Sequence, residues 1–341
     1  MSHSHRSSIF FAIISSLVFC ALFMTACGAQ TPTSTQQNSA ATKPLQNVSI
    51  GLGYNPDIQF APFYVALSKG YYRDAGLNVT LNNGIVTDLF GTMATGKNTF
   101  VFGGGDEMLT AVNQDKGLQV IDTATIYQEY PVSLIVPADS SIKTLADLKG
   151  HTIGVPGPYG ATYNGFLALL SSAHLTLKDV KVQYVNFNQV SALLTHKVDA
   201  VVGYSNNEPL ELQDAGMSVR TFDVSKYVPL VSNGIVTTDT TYQNQQQMVK
   251  SFVQATLRGV NEVIANPDEA VTISQNYIPA LNTTQAKQIL QATLPVYEGN
   301  GKLGYNDAAS WQATEQFLVN QKIISAPIQN LSQYYTNAMV S

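Results

Sequence analysis

Charge is scarce in this chain. Only 12% of its 341 residues are Asp, Glu, Lys or Arg, about half the usual quarter of a globular protein. Arginine is scarcer still, with Arg6, Arg73, Arg220 and Arg258 the whole supply. The net charge is −5 and the basic residues form no run, which argues against a nucleic-acid footprint. Sulfonates and carboxylates are usually met by Arg, so its scarcity weighs against an anionic ligand, although helix N-termini can substitute. There are two cysteines, Cys20 and Cys27. Both fall in an N-terminal segment, so the rest of the chain has no free thiol, disulfide or cysteine metal site. His151, His174 and His196 show neither metal-ligand spacing nor a pairing with Cys or Ser in a triad pattern. Catalysis therefore finds little support, and neither a cofactor nor a metal is expected.

What is present begins at the N-terminus. Residues 1–7 carry one cation, Arg6, and residues 8–24 (SIFFAIISSLVFCALFM) form an apolar run. Thr25-Ala26-Cys27-Gly28 follows. A basic start, an apolar stretch and small residues before a cut describe a secretory signal. The cysteine after Thr25-Ala26 makes it a lipobox, with residues 1–26 removed and Cys27 carrying the lipid. Met24 stands where the pattern prefers Leu. The competing reading is an uncleaved membrane anchor, but the run is just short of the roughly 20 residues of a spanning helix. Both readings place the remaining chain outside the membrane. Residues 27–45 are rich in Ser, Thr, Gln, Pro and Ala without apolar period, which predicts a disordered tether.

From residue 46 strands and helices alternate, an α/β pattern. Strands are expected at 48–52, 77–81, 100–102 and 120–125, with helices at 63–70, 87–96 and 107–115. A second unit has strands at 151–155, 181–185, 198–202 and 219–222, and helices near 161–173 and 189–194. A strand follows at 231–237. Helices are then expected at 240–265, 267–276, 283–293, 307–320 and 328–339. Strands spaced by helices imply parallel pairing. Asn266-Pro267, with Asp268 and Glu269 in the first turn, is a helix start. The expected organisation is a first lobe of 46–137 plus 230–341 and a second lobe of 138–229. Two crossings between them make a cleft that hinges shut.

Ligands of open α/β sheets sit outside the strand C-termini, and five loops there carry suitable side chains. Tyr54, Asn55, Gln59 and Phe60 follow the first strand, while Phe63 and Tyr64 belong to the helix and the core. Gly103-Gly104-Gly105 precede Asp106 and Glu107. Asp106 reads equally as an N-cap and a ligand contact, and the glycines lack the Lys-Ser/Thr of a P-loop. Tyr127 and Tyr130 follow the fourth strand, with loop packing an even alternative. Tyr159, Gly160, Ala161 and Thr162 open a helix whose N–H groups can meet an oxyanion or a carbonyl. Tyr204, Asn206, Asn207 and Glu208 follow an apolar strand. A turn rich in Asn is the plain alternative, but the neighbouring loops carry matching chemistry.

The segments QFAPFYVALSKGYYRDAGLNV (59–79), LADLKGHTIGV (145–155), GPYGATYNG (157–165) and VDAVVGYSNNEP (198–209) resemble solute-binding proteins of ABC importers. The likeness runs from about residue 46 to 320. It points to the branch serving thiamine-pyrimidine precursors, riboflavin and alkanesulfonates, and most to its riboflavin-binding members. The resemblance implies a two-lobed, hinged periplasmic-binding-protein-like fold of type II. It implies a monomer with an ABC permease and its ATPase as partners, the non-transport alternative being a sensory lipoprotein. A heteroaromatic ligand would stack on Tyr54, Tyr127, Tyr159 or Tyr204. Asn206, Asn207 or loop N–H groups would serve its dione edge, and Asp106 or Glu208 a polyol chain. A pyrimidine precursor would use a similar, smaller set. The fungal pyrimidine synthase shares the fold but resembles an enzyme that relies on a cysteine cluster, which this chain lacks.

Overall fold

A computed structural model of the chain describes residues 44–53, 55–115, 117–299 and 302–341. The expected signal segment, Cys27, nearly all of the tether, and Tyr54 lie outside the described residues. The chain begins with β1 (Gln46–Leu52), α1 (Ala61–Ser68), α2 (Tyr71–Asp74), β2 (Leu77–Asn83), α3 (Val86–Ala94), β3 (Phe100–Gly104), α4 (Gly105–Gln114) and β4 (Val120–Thr125). It then crosses to β5 (Val132–Pro137), β6 (Thr152–Val155), α5 (Gly160–Ser172), β7 (Lys181–Tyr184), α6 (Gln189–Leu194), β8 (Ala200–Tyr204), α7 (Glu208–Asp214) and β9 (Val219–Asp223). It returns as β10 (Asn233–Thr238) and continues through α8 (Asp239–Asn244), α9 (Gln246–Ala265), α10 (Pro267–Ser274), α11 (Thr283–Glu298) and α12 (Ala308–Asn320).

Two five-stranded sheets result, ordered β2-β1-β3-β10-β4 and β7-β6-β8-β5-β9. The α/β expectation holds, but pairing is mixed rather than parallel. β1 pairs in parallel with β2 and β3, while β10 runs antiparallel between β3 and β4. In the second sheet β6 pairs in parallel with β7 and β8, while β5 runs antiparallel to β8 and β9. Each antiparallel strand is the first element laid down after a crossing, so no helix turns it round.

β5 also moves the lobe boundary. The sequence places 46–137 in the first lobe, yet Val132–Pro137 is bonded on both sides within the second sheet, from Val132 opposite Tyr204 to Pro137 opposite Val219. Five of its six residues are buried, so it lacks the alternation that marks a strand with one wet face. The last expected helix, 328–339, is also absent. Leu331–Tyr334 form a single 3-10 turn, and Asn330 before them has φ +57°, a left-handed geometry that ends helical continuity. The chain then runs as a strap beside β4, with Thr336 N–H donating to the Asp122 carbonyl. That strap covers the edge strand, and all six residues of β4 are buried.

The helices pack as their patterns dictate. α9 buries Met248, Val249, Phe252, Val253, Thr256, Gly259, Val260 and Val263, an i, i+3, i+4 stripe. Phe252 stacks on Phe100 at 4.1 Å and on Tyr72 at 5.2 Å between ring centroids. Gly259 lets α1 approach closely, since a Cβ there would overlap the Pro62 carbonyl oxygen. Pro62 sits in the first turn of α1, where its missing N–H costs nothing. α10 starts at Pro267 with Asp268 and Glu269 in its first turn, as the sequence indicates.

Candidate ligand-binding cleft

Two crossings, 126–131 and 224–232, join the lobes, and a cleft opens between them. Its walls bound about 1150 Å³ of non-atom space, open solvent included. Of the residues singled out from sequence, Asn55, Gln59, Phe60, Glu107, Tyr127, Tyr159, Gly160, Ala161, Thr162, Tyr204, Asn207 and Glu208 line it. The parallel strands β1, β3, β6 and β8 all deliver their C-terminal loops to this wall.

Aromatic rings come from both sides. Phe60 and Phe102 meet edge-to-face at 6.1 Å, Phe102 and Tyr127 at 5.6 Å, and Tyr127 and Tyr297 at 5.3 Å. Tyr127 donates to the Gln59 carbonyl at 3.2 Å, which ties the loop after β4 to the 3-10 turn before α1. The second lobe contributes Tyr159, Phe187 and Tyr204. Burial pushes the Tyr127 and Tyr204 hydroxyls well above their usual pKa, so both stay neutral.

Three expected contacts stand elsewhere. Asp106 and Tyr130 lie behind the wall, and neither lines the cleft. Asp106 does not cap α4 either, because the N-cap is Gly104, whose N–H donates to Glu107 Oε2 at 2.9 Å. Asp106 turns inward instead, and Asn164 Nδ2 donates to its Oδ2 at 2.6 Å. Tyr130 Oη lies 2.9 Å from both that oxygen and the Ala161 carbonyl. One hydroxyl has one proton. The arrangement is satisfied when Asp106 is protonated and donates to Tyr130, which donates to Ala161. Burial does raise the Asp106 pKa. The third residue, Asn206, donates to Thr293 Oγ1 of α11 at 2.7 Å and so ties the lobes together. Three successive residues of one turn cannot all face the same wall, and Asn207 takes the cleft.

Glu107 has two tasks. Its Oε1 accepts the Ala161 N–H at 3.0 Å, at the start of α5 in the other lobe. The helix N-terminus that the sequence offers to an oxyanion therefore already holds a carboxyl of this chain. Burial, with Asp106 beside it, pushes Glu107 up to about 8. Both of its oxygens accept N–H bonds, which suits the ionised form once Asp106 carries the pair's proton. Glu208 Oε2 accepts the Tyr204 N–H at 2.7 Å, and Gln189 Nε2 donates to its Oε1 at 3.2 Å. Burial pushes Glu208 up to about 7.

The sequence reading missed Ile85, Val86, Phe187, Gln189 and Asn233, which also line the cleft. Asn233 opens β10, an antiparallel strand, so its N-terminal end faces the ligand. A rule built on strand C-termini passes over it. Phe187 and Gln189 precede and open α6, a position the same rule does flag.

The model of the family described as NMT1/THI5 like matches residues 57–270. The chain is 34% identical to the riboflavin-binding protein RibY of Chloroflexus aurantiacus, over 94% of this chain and 95% of that protein. It is 24% identical to the formylaminopyrimidine-binding protein of Halalkalibacterium halodurans, over 92% and 95% of the two chains. It is also 25% identical to the 4-amino-5-hydroxymethyl-2-methylpyrimidine phosphate synthase of Legionella pneumophila, over 85% and 91%. Among solved structures, the alkanesulfonate-binding protein SsuA of Xanthomonas axonopodis pv. citri bound to MOPS superimposes with a TM-score of 0.70. It covers 87% of this chain and all of that one at 15% identity, and the shared property is the two-lobed periplasmic-binding-protein-like fold.

Proposed function

The chain belongs to the NMT1/THI5-like family, and from that premise we propose that it is the ligand-capturing lipoprotein of an ABC importer, closing its lobes on riboflavin. One observation carries this reading: an aromatic and amide wall shared by both lobes, with no Lys, Arg or His among the described residues that line it. A flat, uncharged heteroaromatic ring fits such a wall. A sulfonate finds no cation there. The similarity to RibY over nearly the whole chain supports the same ligand. Cys27 would anchor the protein to the outer face of the cytoplasmic membrane, and a permease with its ATPase would receive the ligand from a monomer.

The test is fluorescence. Full-length protein in detergent micelles should quench riboflavin emission stoichiometrically at low micromolar concentration or tighter. Mass spectrometry of the small molecule that co-purifies should identify a flavin. Absence of quenching, together with a thermal shift on adding a hydroxymethylpyrimidine, would transfer the assignment to a pyrimidine precursor. That second reading is favoured by the carboxyls of Glu107 and Glu208 on the wall, since a carboxylate pairs well with an exocyclic amine. A synthase reading finds neither His nor Cys on the described wall. Product formation by the isolated protein would establish it.

A further inference from the structure

The first turn of α5, in the second lobe, is held at three points by α4 of the first lobe and by the crossing between them. The Ala161 N–H donates to Glu107 Oε1 at 3.0 Å, the Ala161 carbonyl lies 2.9 Å from Tyr130 Oη, and Asn164 Nδ2 donates to Asp106 Oδ2 at 2.6 Å. The two helix starts come close together. Gly160 has φ +77°, and a Cβ there would stand 3.2 Å from Glu107 Oε1. Gly160 and Ala161 line the cleft, so these bonds set the position of one wall. Asp106 is fully buried behind it, and its Oδ1 has no hydrogen-bond partner. No ion pair among the described residues includes Asp106 or Glu107. α4 packs against α3, α5, α12, β3, β4 and β10, and none of these elements carries a Lys, Arg or His. The titratable groups that face the pair are the hydroxyls of Tyr130 and Tyr204, with Tyr127 next to Tyr204. Elsewhere on the packed elements, Asp88 is exposed, Asp122 is bonded to Asn306, Glu315 accepts the Ile328 N–H, and Tyr163 faces Tyr184.

Two adjacent buried carboxyls with no counter-charge resist ionising together, so the closed pair keeps one proton. On Asp106 that proton completes a relay from Asp106 O–H to Tyr130 and from Tyr130 O–H to the Ala161 carbonyl. Without it the single Tyr130 proton turns to the carboxylate, and the Ala161 carbonyl loses its donor. We propose that Asp106 is a positioning residue for capture, and that the lobes close by taking up one proton on this pair, which fastens α5 to α4. When the lobes part, Ala161 and Asn164 leave with α5, water reaches Asp106, and the proton is released. This deepens the capture reading above, and it concerns how the lobes close rather than which ring they hold. Burial in the closed state raises Asp106 above its ordinary 3.8. Protonation therefore favours closure in full below 3.8, and that gain is lost as pH rises through the raised value. Between the two values, affinity falls about tenfold per pH unit.

Asp106→Asn keeps a donor toward Tyr130 at every pH and has no proton to lose. Full-length wild type and variant in detergent micelles are compared from pH 6 to pH 9 in two ways. The first is hydrogen exchange of residues 160–165 without ligand, read by mass spectrometry. The ratio of wild-type to variant exchange should rise at least tenfold across the range. The second is riboflavin titration, in which the ratio of wild-type to variant Kd should rise at least tenfold. Ratios taken at each pH cancel the intrinsic pH dependence of exchange and any ionisation of riboflavin itself. Tyr130→Phe removes the relay but keeps the carboxyl. Its exchange should exceed that of the wild type at least tenfold at pH 6 and converge with it by pH 9, a comparison that stands even where Asp106→Asn fails to fold. Riboflavin binding with a flat Kd ratio would overturn the inference and leave the flavin assignment intact. A rising exchange ratio with no riboflavin binding would uphold the inference and overturn the flavin assignment. A flat exchange ratio with no riboflavin binding would overturn both.

Discussion

Asp122 provides a measurement that isolates one buried carboxyl from the cleft. It is fully buried in β4. Its Oδ1 accepts from the Ala124 N–H at 2.9 Å and from Asn306 Nδ2 at 3.1 Å, while its Oδ2 has no partner. Burial pushes its pKa from 3.8 up to about 7. A carboxyl whose folded pKa is raised favours the folded state in its protonated form. Its contribution is fully present below pH 3.8 and is lost as pH rises toward 7. The loss at pH 8 is roughly 4 kcal/mol, and about 2–3 kcal/mol of it falls between pH 5 and pH 8. Asp122→Asn removes the titration. Its amide N–H groups have no acceptor on the Oδ2 side, which costs about 1–3 kcal/mol at every pH. The variant should therefore be the less stable protein below pH 3.8 and gain on the wild type by about 2–3 kcal/mol between pH 5 and pH 8. Urea denaturation of both proteins across that range measures it. A stability difference that does not change with pH would refute the assignment of a raised pKa to this group. Riboflavin affinity should be equal in the two proteins, because Asp122 does not line the cleft.

Other substitutions test other contacts. Gly259→Ala gains about 1 kcal/mol of helix propensity but drives a methyl into the Pro62 carbonyl. The net effect in urea should be a loss of about 1–3 kcal/mol, and a stabilised variant would contradict the close approach of α1 and α9. Glu107→Gln leaves one of two buried N–H groups, Gly104 or Ala161, facing an amide donor. It should cost about 1–3 kcal/mol of stability and weaken ligand binding, because the bond lost can be the one between lobes. Tyr204→Leu should weaken flavin binding about tenfold through the lost ring contact, as read by fluorescence titration. Cys27→Ala should release the protein from the membrane fraction, and retention there would favour an uncleaved anchor.

Much of this architecture is legible in the residues. Gly70 and Gly96 mark helix ends, Pro62 and Pro267 mark helix starts, and the apolar runs locate nine of the ten described strands without reference to pairing. β8 was anticipated at 198–202 and runs from Ala200 to Tyr204, which makes Tyr204 a strand residue rather than a loop residue. β5 escaped because a short run buried on both faces carries no period. The two antiparallel partners escaped because direction is set by the crossings, which no local pattern encodes. The site was legible where parallel strands deliver it. It was not legible where a turn decides which of Asn206 and Asn207 faces inward, nor where β10 presents its beginning to the ligand. The inward turn of Asp106 was hidden as well, since its partners Tyr130 and Asn164 lie 24 and 58 residues away.

β10 has a further consequence, in time rather than in space. The first sheet is not closed by its own N-terminal strands, because among the described strands β4 joins it through β10 alone, which leaves the ribosome about a hundred residues later. The second sheet is drawn from one uninterrupted stretch, β5 to β9. A chain that emerges from its N-terminus can thus complete the second lobe while the first still waits with an open edge. Non-local pairings form last, and an unpaired edge is exposed to misassociation in the interval. A chain truncated just before Asn233 should accordingly retain a protease-resistant core from the second lobe and lose the first.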